Sequence, residues 1–208
     1  MKRISVQSEM EKALIGFEKG QLVTAQDFIH LGNYEAIKRS LNRLEKEGKI
    51  IRVLRGLYCT PNFNQYIQKE VGVSPKKVAM KLAKKYGWTI APAEDTALNE
   101  LGLSTQVPTT YTFISDGPYK KYVLENGAVI VFKHRTNKEI STLTPKTATV
   151  VEAIQTIKQS NMNANVRQQL LKSITTDDLD YLLNEGKTMR HWIYEEIKLM
   201  KSESELYD

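Results

Sequence analysis

Thr24-Ala25-Gln26-Asp27-Phe28-Ile29-His30-Leu31-Gly32-Asn33-Tyr34-Glu35-Ala36-Ile37-Lys38-Arg39-Ser40-Leu41-Asn42-Arg43-Leu44-Glu45-Lys46-Glu47-Gly48 is the stretch on which the fold turns. It encodes two helices with almost nothing between them. Thr24 and Asp27 have the spacing of a capping box, with Asp where Glu or Gln is favoured. Phe28, Ile29 and Leu31 give a short helix its apolar side, and Gly32 stops it. Asn33 can cap the next helix at once. Tyr34, Ile37, Leu41 and Leu44 then recur at helical spacing, and Gly48 closes the run. At roughly 100° per residue those four share one side, and Glu35, Lys38, Arg39, Asn42, Arg43 and Lys46 fall on the other.

Upstream, Val6, Met10, Ala13, Leu14 and Phe17 mark one apolar face of a helix expected to end near Gly20. Downstream, Ile50 to Leu54 reads as a strand, Arg55-Gly56 as a tight turn and Leu57 to Thr60 as the returning strand. Three helices and a β-hairpin within about 60 residues form the layout of a winged helix-turn-helix. In that layout the third helix enters the DNA major groove. Arg39 and Arg43 could fork onto guanine O6 and N7, and Asn42 onto adenine N6 and N7. Lys38 and Lys46 suit phosphates. The hairpin would be a wing carrying Lys49, Arg52 and Arg55, with Arg55 at its tip, while Tyr58 is expected to pack against the third helix.

The rest of the chain predicts a second domain. Residues 61–74 read as a linker with a short helix around Tyr66. Ser74-Pro75 opens a helix with Val78, Ala79, Leu82, Ala83 and Tyr86 inward, ended by Gly87. Short strands follow at Trp88 to Ala91 and Tyr111 to Ser115, with a helix from Glu94 to Leu101 between them. Residues 119–124 and 128–134 pair through Asn126-Gly127, a strong hairpin signal. Four helices are expected after Thr144, with a frayed end from Lys201. The expected architecture is α+β: an N-terminal winged helix-turn-helix over 1–60, a linker over 61–74, and a mixed α/β C-terminal domain over 75–208 ending in helices.

Among 208 residues, 30 Lys and Arg against 24 Asp and Glu give a net charge of +6. By segment the charge is +4 over 1–60, +5 over 61–150 and −3 over 151–208. A basic front favours an anionic partner there. Lys120, Lys121, Lys133, His134 and Arg135 on the 119–134 hairpin offer a possible second basic surface, or a strand edge protected by charge. A single cysteine, Cys59, excludes an internal disulfide and a Cys-based zinc site. His30, His134 and His191 lack metal spacing. No apolar run reaches the ~18 residues of a membrane span, and Met1-Lys2-Arg3 turns polar by Ser5, unlike a signal peptide. The expected location is the cytoplasm, with no membrane partner. A restriction-type nuclease would need a carboxylate at Val131, before Phe132-Lys133, and no glycine-rich phosphate loop is present. No enzyme activity, metal or cofactor is expected.

The run Leu44-Glu45-Lys46-Glu47-Gly48-Lys49-Ile50 through Val53-Leu54-Arg55-Gly56-Leu57-Tyr58 resembles the end of the winged-helix domain in AbiEi-type antitoxins of bacterial type IV toxin–antitoxin systems. Gly87-Trp88, Ala97-Leu98-Asn99-Glu100-Leu101-Gly102-Leu103-Ser104-Thr105-Gln106-Val107-Pro108, Ser115-Asp116-Gly117-Pro118, Phe132-Lys133-His134-Arg135 and Trp192-Ile193 are similar to the same group. The chain is shorter at its C-terminus than fuller members. The resemblance implies a two-domain antitoxin. Its front domain would bind double-stranded operator DNA at inverted repeats and repress its own operon. Its second domain would counter a nucleotidyltransferase-like toxin without a stable complex. Two other classes fit the residues: a winged-helix protein-interaction module, and an orphan regulator whose second domain binds a ligand or partner.

Overall fold

The computed structural model describes residues 5–66, 68–136, 140, 142–186 and 189–205. The architecture is α+β. Chain contacts divide it into two units, Met1–Lys81 with Val123–Ala128, and Leu82–Tyr122 with Val129–Asp208. Helix α3 (Pro75–Tyr86) contains the first boundary.

The first unit begins with α1 (Val6–Ile15), capped by the Ser5 hydroxyl, which accepts from the Ser8 N–H at 3.2 Å. The helix stops at Gly16 rather than near Gly20. Phe17 still joins the core, its ring stacked on Phe28 at 5.8 Å. The two-residue strand β1 (Leu22–Val23) follows. The second helix, Ala25–Leu31, is 3-10 throughout. The Asp27 carboxylate accepts from the Thr24 N–H at 2.7 Å and from its hydroxyl at 2.8 Å, so the acidic half of the expected cap is present. Gly32 sits where a Cβ would come within 2.9 Å of the Val6 side chain, a close approach that only glycine permits without a shift.

Helix α2 (Tyr34–Lys46) starts immediately, with the Asn33 Oδ1 accepting from the Ala36 N–H at 2.8 Å. It buries Ile37, Leu41 and Leu44, leaves Tyr34 exposed, and turns out of the helix through Gly48 at φ +70°. Strands β2 (Ile51–Leu54) and β3 (Leu57–Cys59) form the hairpin, and β1 pairs on the far side of β3, giving the order β1-β3-β2, all antiparallel. The edge strand β1 has no counterpart in the sequence reading. Met10, Val23, Phe28, Ile37, Leu41, Leu44, Ile50 and Tyr58 make one core between helices and sheet. β4 (Phe63–Asn64) pairs antiparallel with β5 (Lys69–Glu70), where the sequence predicts a helix around Tyr66.

The second unit is built on a four-stranded sheet of order β6-β7-β9-β8, from β6 (Ile90–Pro92), β7 (Thr110–Ser115), β8 (Lys120–Val123) and β9 (Val129–His134). β6 and β7 are antiparallel, whereas β7 and β9 are parallel, with Phe113 beside Phe132. The Asn126-Gly127 turn between β8 and β9, which is grouped with the first unit, is present, with Gly127 at φ +85° and the Leu124 N–H donating to the Ala128 carbonyl at 2.8 Å. Trp88 precedes β6 rather than opening it. Its ring stacks on Tyr86 at 4.8 Å and meets Phe132 edge-on at 5.5 Å. Burial, and then the Tyr86 hydroxyl, push the phenol of neighbouring Tyr122 up to about 12. Helices α4 (Glu94–Glu100), α5 (Pro145–Ile157), α6 (Ala164–Leu171), α7 (Thr176–Glu185) and α8 (His191–Ser204) supply a helical core that includes Val150, Ile154, Leu170, Leu179, Leu182, Ile193 and Ile197. The last helix continues to Ser204, past the fraying expected from Lys201. Lys201 bonds back to Asp180 on α7, which ties that turn down. Among the described residues, no helix is long and apolar enough to cross a membrane.

Candidate nucleic-acid interface

The outward side of α2 follows from its inward side. Because Ile37, Leu41 and Leu44 are buried, Lys38, Arg39, Asn42, Arg43 and Lys46 all stand exposed on one helix. They differ in what already holds them. Lys38 pairs with Glu35 at 3.2 Å and lies over the Tyr34 ring at 5.4 Å. The side chains of Arg39, Arg43 and Lys46 make no hydrogen bond or ion pair with another described residue, although Arg43 feels the charge of Glu47. Asn42 accepts a hydrogen bond at Oδ1 from the Tyr58 hydroxyl at 3.1 Å.

The hairpin brings its arginines to different places. Arg55 is exposed at the tip, in a two-residue loop closed by the Leu54–Leu57 pair, with Gly56 at φ +77° supplying the left-handed conformation. Arg52 sits opposite Tyr58 in the sheet and turns toward α2, its Nη1 at 3.8 Å from Glu45 and its buried Nε without a partner. Lys49 is held between Glu47 at 2.8 Å and Glu11 at 2.9 Å, and these two bonds raise its ammonium pKa. It therefore fastens α1 to the end of α2.

Tyr58 packs against α2 as expected, being only 4% exposed and part of the core. The sequence reading missed the polar seam that it anchors: Asn42 and Glu45 from α2 against Tyr58 and Arg52 from the sheet. Asn42 and Glu45 share one helix edge by their spacing of three, and Arg52 and Tyr58 pair across a short hairpin. No local signal says that the two pairs meet.

In the second unit the other basic set is distributed differently. Lys133 bonds to Glu94 at 2.5 Å, Arg135 lies 3.6 Å from Glu152, and the His134 Nδ1 is 2.9 Å from the Gly117 carbonyl. Only Lys120 and Lys121 are exposed without a described hydrogen-bond or ion-pair partner. The Ser115-Asp116-Gly117-Pro118 run is similarly occupied with structure. Asp116 Oδ1 accepts from the Thr89 N–H at 2.9 Å, and the buried Ser115 hydroxyl accepts from the Gly117 N–H at 3.0 Å. A Cβ on Gly117 would lie 2.4 Å from the Trp88 indole. In the Leu98–Pro108 stretch the Asn99 amide donates to the carbonyls of Ser104 and Gln106, at 3.3 and 2.9 Å.

A cavity of about 250 Å³ lies within this unit, with Ile114, Val151 and Ile193 as apolar wall and Arg135, Glu152 and Arg190 among its polar groups. Cys59 is buried in β3, and burial pushes its thiol pKa up. Among the described residues no three His, Cys, Asp or Glu side chains converge as metal ligands would.

A search of curated proteins finds no match to the chain. A family model, described as a family of unknown function (DUF6088), matches residues 9–180, a span that takes in the α2 face, the hairpin and most of the second unit. The chain belongs to that family.

Proposed function

We propose that this chain is a sequence-specific DNA-binding regulator whose first unit is a winged helix-turn-helix. In this reading the Ala25–Leu31 helix, the Gly32-Asn33 turn and α2 form the motif, α2 enters the major groove and the β2–β3 hairpin is the wing. One observation carries the proposal. On the exposed face of α2, the side chains of Arg39, Arg43 and Lys46 have no internal ion-pair or hydrogen-bond partner among the described residues, whereas Lys38, Lys49, Arg52 and Lys81 in the same unit are each paired with a carboxylate. Unneutralised cations on a rigid helix are what phosphate and guanine recognition require. The base-reading residues are then Arg39, Arg43 and Asn42, with Lys38, Lys46 and Arg55 toward phosphates, and Arg52 holding the wing to the helix. The test is a gel shift on the DNA upstream of its own reading frame at physiological salt. Arg39→Ala with Arg43→Ala should abolish the shift while leaving the fold intact, and unchanged affinity overturns the reading.

The AbiEi-like runs extend the proposal to an autorepressor that is the cytoplasmic antitoxin of a type IV toxin–antitoxin pair, a binding protein rather than an enzyme. A nucleotidyltransferase reading frame next door, whose toxicity this chain relieves on co-expression, is the expected outcome. The cavity among Arg135, Glu152 and Arg190 favours a second reading, an orphan regulator whose second unit binds a small ligand. The absence of a neighbouring toxin frame would favour it.

A further inference from the structure

Resting on the DNA-binding reading, we infer that Tyr58 is a positioning residue that sets which base edge Asn42 reads, turning it from an adenine contact into a donor aimed at guanine. The Tyr58 ring is packed among core residues shared with α2, so its hydroxyl has a fixed place. That hydroxyl donates to the Asn42 Oδ1 at 3.1 Å. Arg52, opposite Tyr58 across the hairpin, is all donors and offers no acceptor, while Glu45 faces Arg52. The phenol hydrogen therefore goes to the amide oxygen. An amide is planar, so holding Oδ1 against the sheet leaves Nδ2, with its two N–H groups, on the outward side of an exposed residue. A bidentate contact to adenine N6 and N7 needs both the oxygen and the nitrogen facing the groove. With the oxygen turned toward the sheet, what position 42 presents to the groove is donors, and guanine offers acceptors there at N7 and O6.

The experiment is selection of sites from a random duplex pool by the full chain, its Tyr58→Phe variant and its Asn42→Asp variant. Tyr58→Phe keeps the packed ring and removes only the bond. Asn42→Asp keeps the acceptor for Tyr58 and replaces the outward donor by an acceptor. The wild type is expected to enrich guanine at the position read by Asn42, in addition to the guanines read by Arg39 and Arg43. Asn42→Asp switches that position to cytosine, whose N4 is a donor. Tyr58→Phe admits adenine there, cutting discrimination at least about fivefold, with the other positions and the salt dependence unchanged. A Tyr58→Phe motif identical to that of the wild type overturns the inference, as does an Asn42→Asp motif unchanged at every position. A pool from which the wild type enriches nothing overturns the DNA-binding reading itself, and this inference with it.

Discussion

The outer face of α2 and the end of β9 look alike as strings of residues, Lys38-Arg39 with Arg43 and Lys46 in one, Lys133-His134-Arg135 in the other. Their surroundings separate them. On α2 three of the cations are exposed with no described hydrogen-bond or ion-pair partner. On β9 the lysine is bound to Glu94, the arginine lies beside the buried Glu152 and the imidazole faces the Gly117 carbonyl. A cation already neutralised inside its own unit contributes to architecture. One left unpaired on a rigid face is available to an external anion. Basic composition is common to both regions, and availability distinguishes them.

The largest expected effect breaks the comparison at its strongest point. Arg39→Ala with Arg43→Ala should weaken operator binding by at least about thirtyfold, at about 1–3 kcal/mol for each base-reading arginine. Lys133→Ala with Arg135→Ala should leave affinity within about twofold. Equal losses by gel shift would mean that both regions meet DNA. Next comes Gly117→Ala, which forces a methyl against the Trp88 ring. Overpacking of this kind costs about 1–3 kcal/mol, read as a lower midpoint in thermal unfolding, and wild-type stability would show that the loop yields. A smaller effect separates two lysines close in sequence. Lys46→Ala should reduce the slope of log affinity against log salt by about 1, whereas Lys49→Ala, whose ammonium is engaged by Glu11 and Glu47, should leave that slope unchanged.

The smallest effect is in pH. Burial works to raise the Asp27 carboxyl, but the bonds from Lys81 and Thr24 outweigh it and hold it below its ordinary 3.8. A depressed carboxyl contributes stability above that value, and the contribution is lost as pH falls through the lower native value. Unfolding midpoints followed downward from pH 5 should therefore decline less steeply in Asp27→Asn than in the wild type. Identical slopes would remove Asp27 from the acid response.

Much of the fold was legible because it is local. α2 announces itself by an Asn cap, a single stripe of Ile37, Leu41 and Leu44, and a left-handed Gly48. The Asn126-Gly127 turn needs only two residues to be recognised. By contrast β1 is two residues long, too short to show a period, and becomes a strand only by pairing with Tyr58 and Cys59, which come from 35 and more residues later. The parallel pairing of β7 with β9 is equally non-local. The candidate site divides in the same way. Helical spacing places Arg39, Arg43 and Lys46 on one face, but their lack of partners depends on what the rest of the unit does not bring near. Lys133 and Glu94 are 39 positions apart, and the Tyr58–Asn42 bond joins a strand to a helix across the core.

Cys59 brings a practical consequence. It is the chain's single thiol and it sits in the central strand of the first unit's sheet, covered and with its ionisation suppressed by burial. A thiol reagent reaches it only when that strand separates from its neighbours. Its labelling rate is therefore a clock for the opening of the scaffold that carries α2, ticking at one known position without any engineered probe.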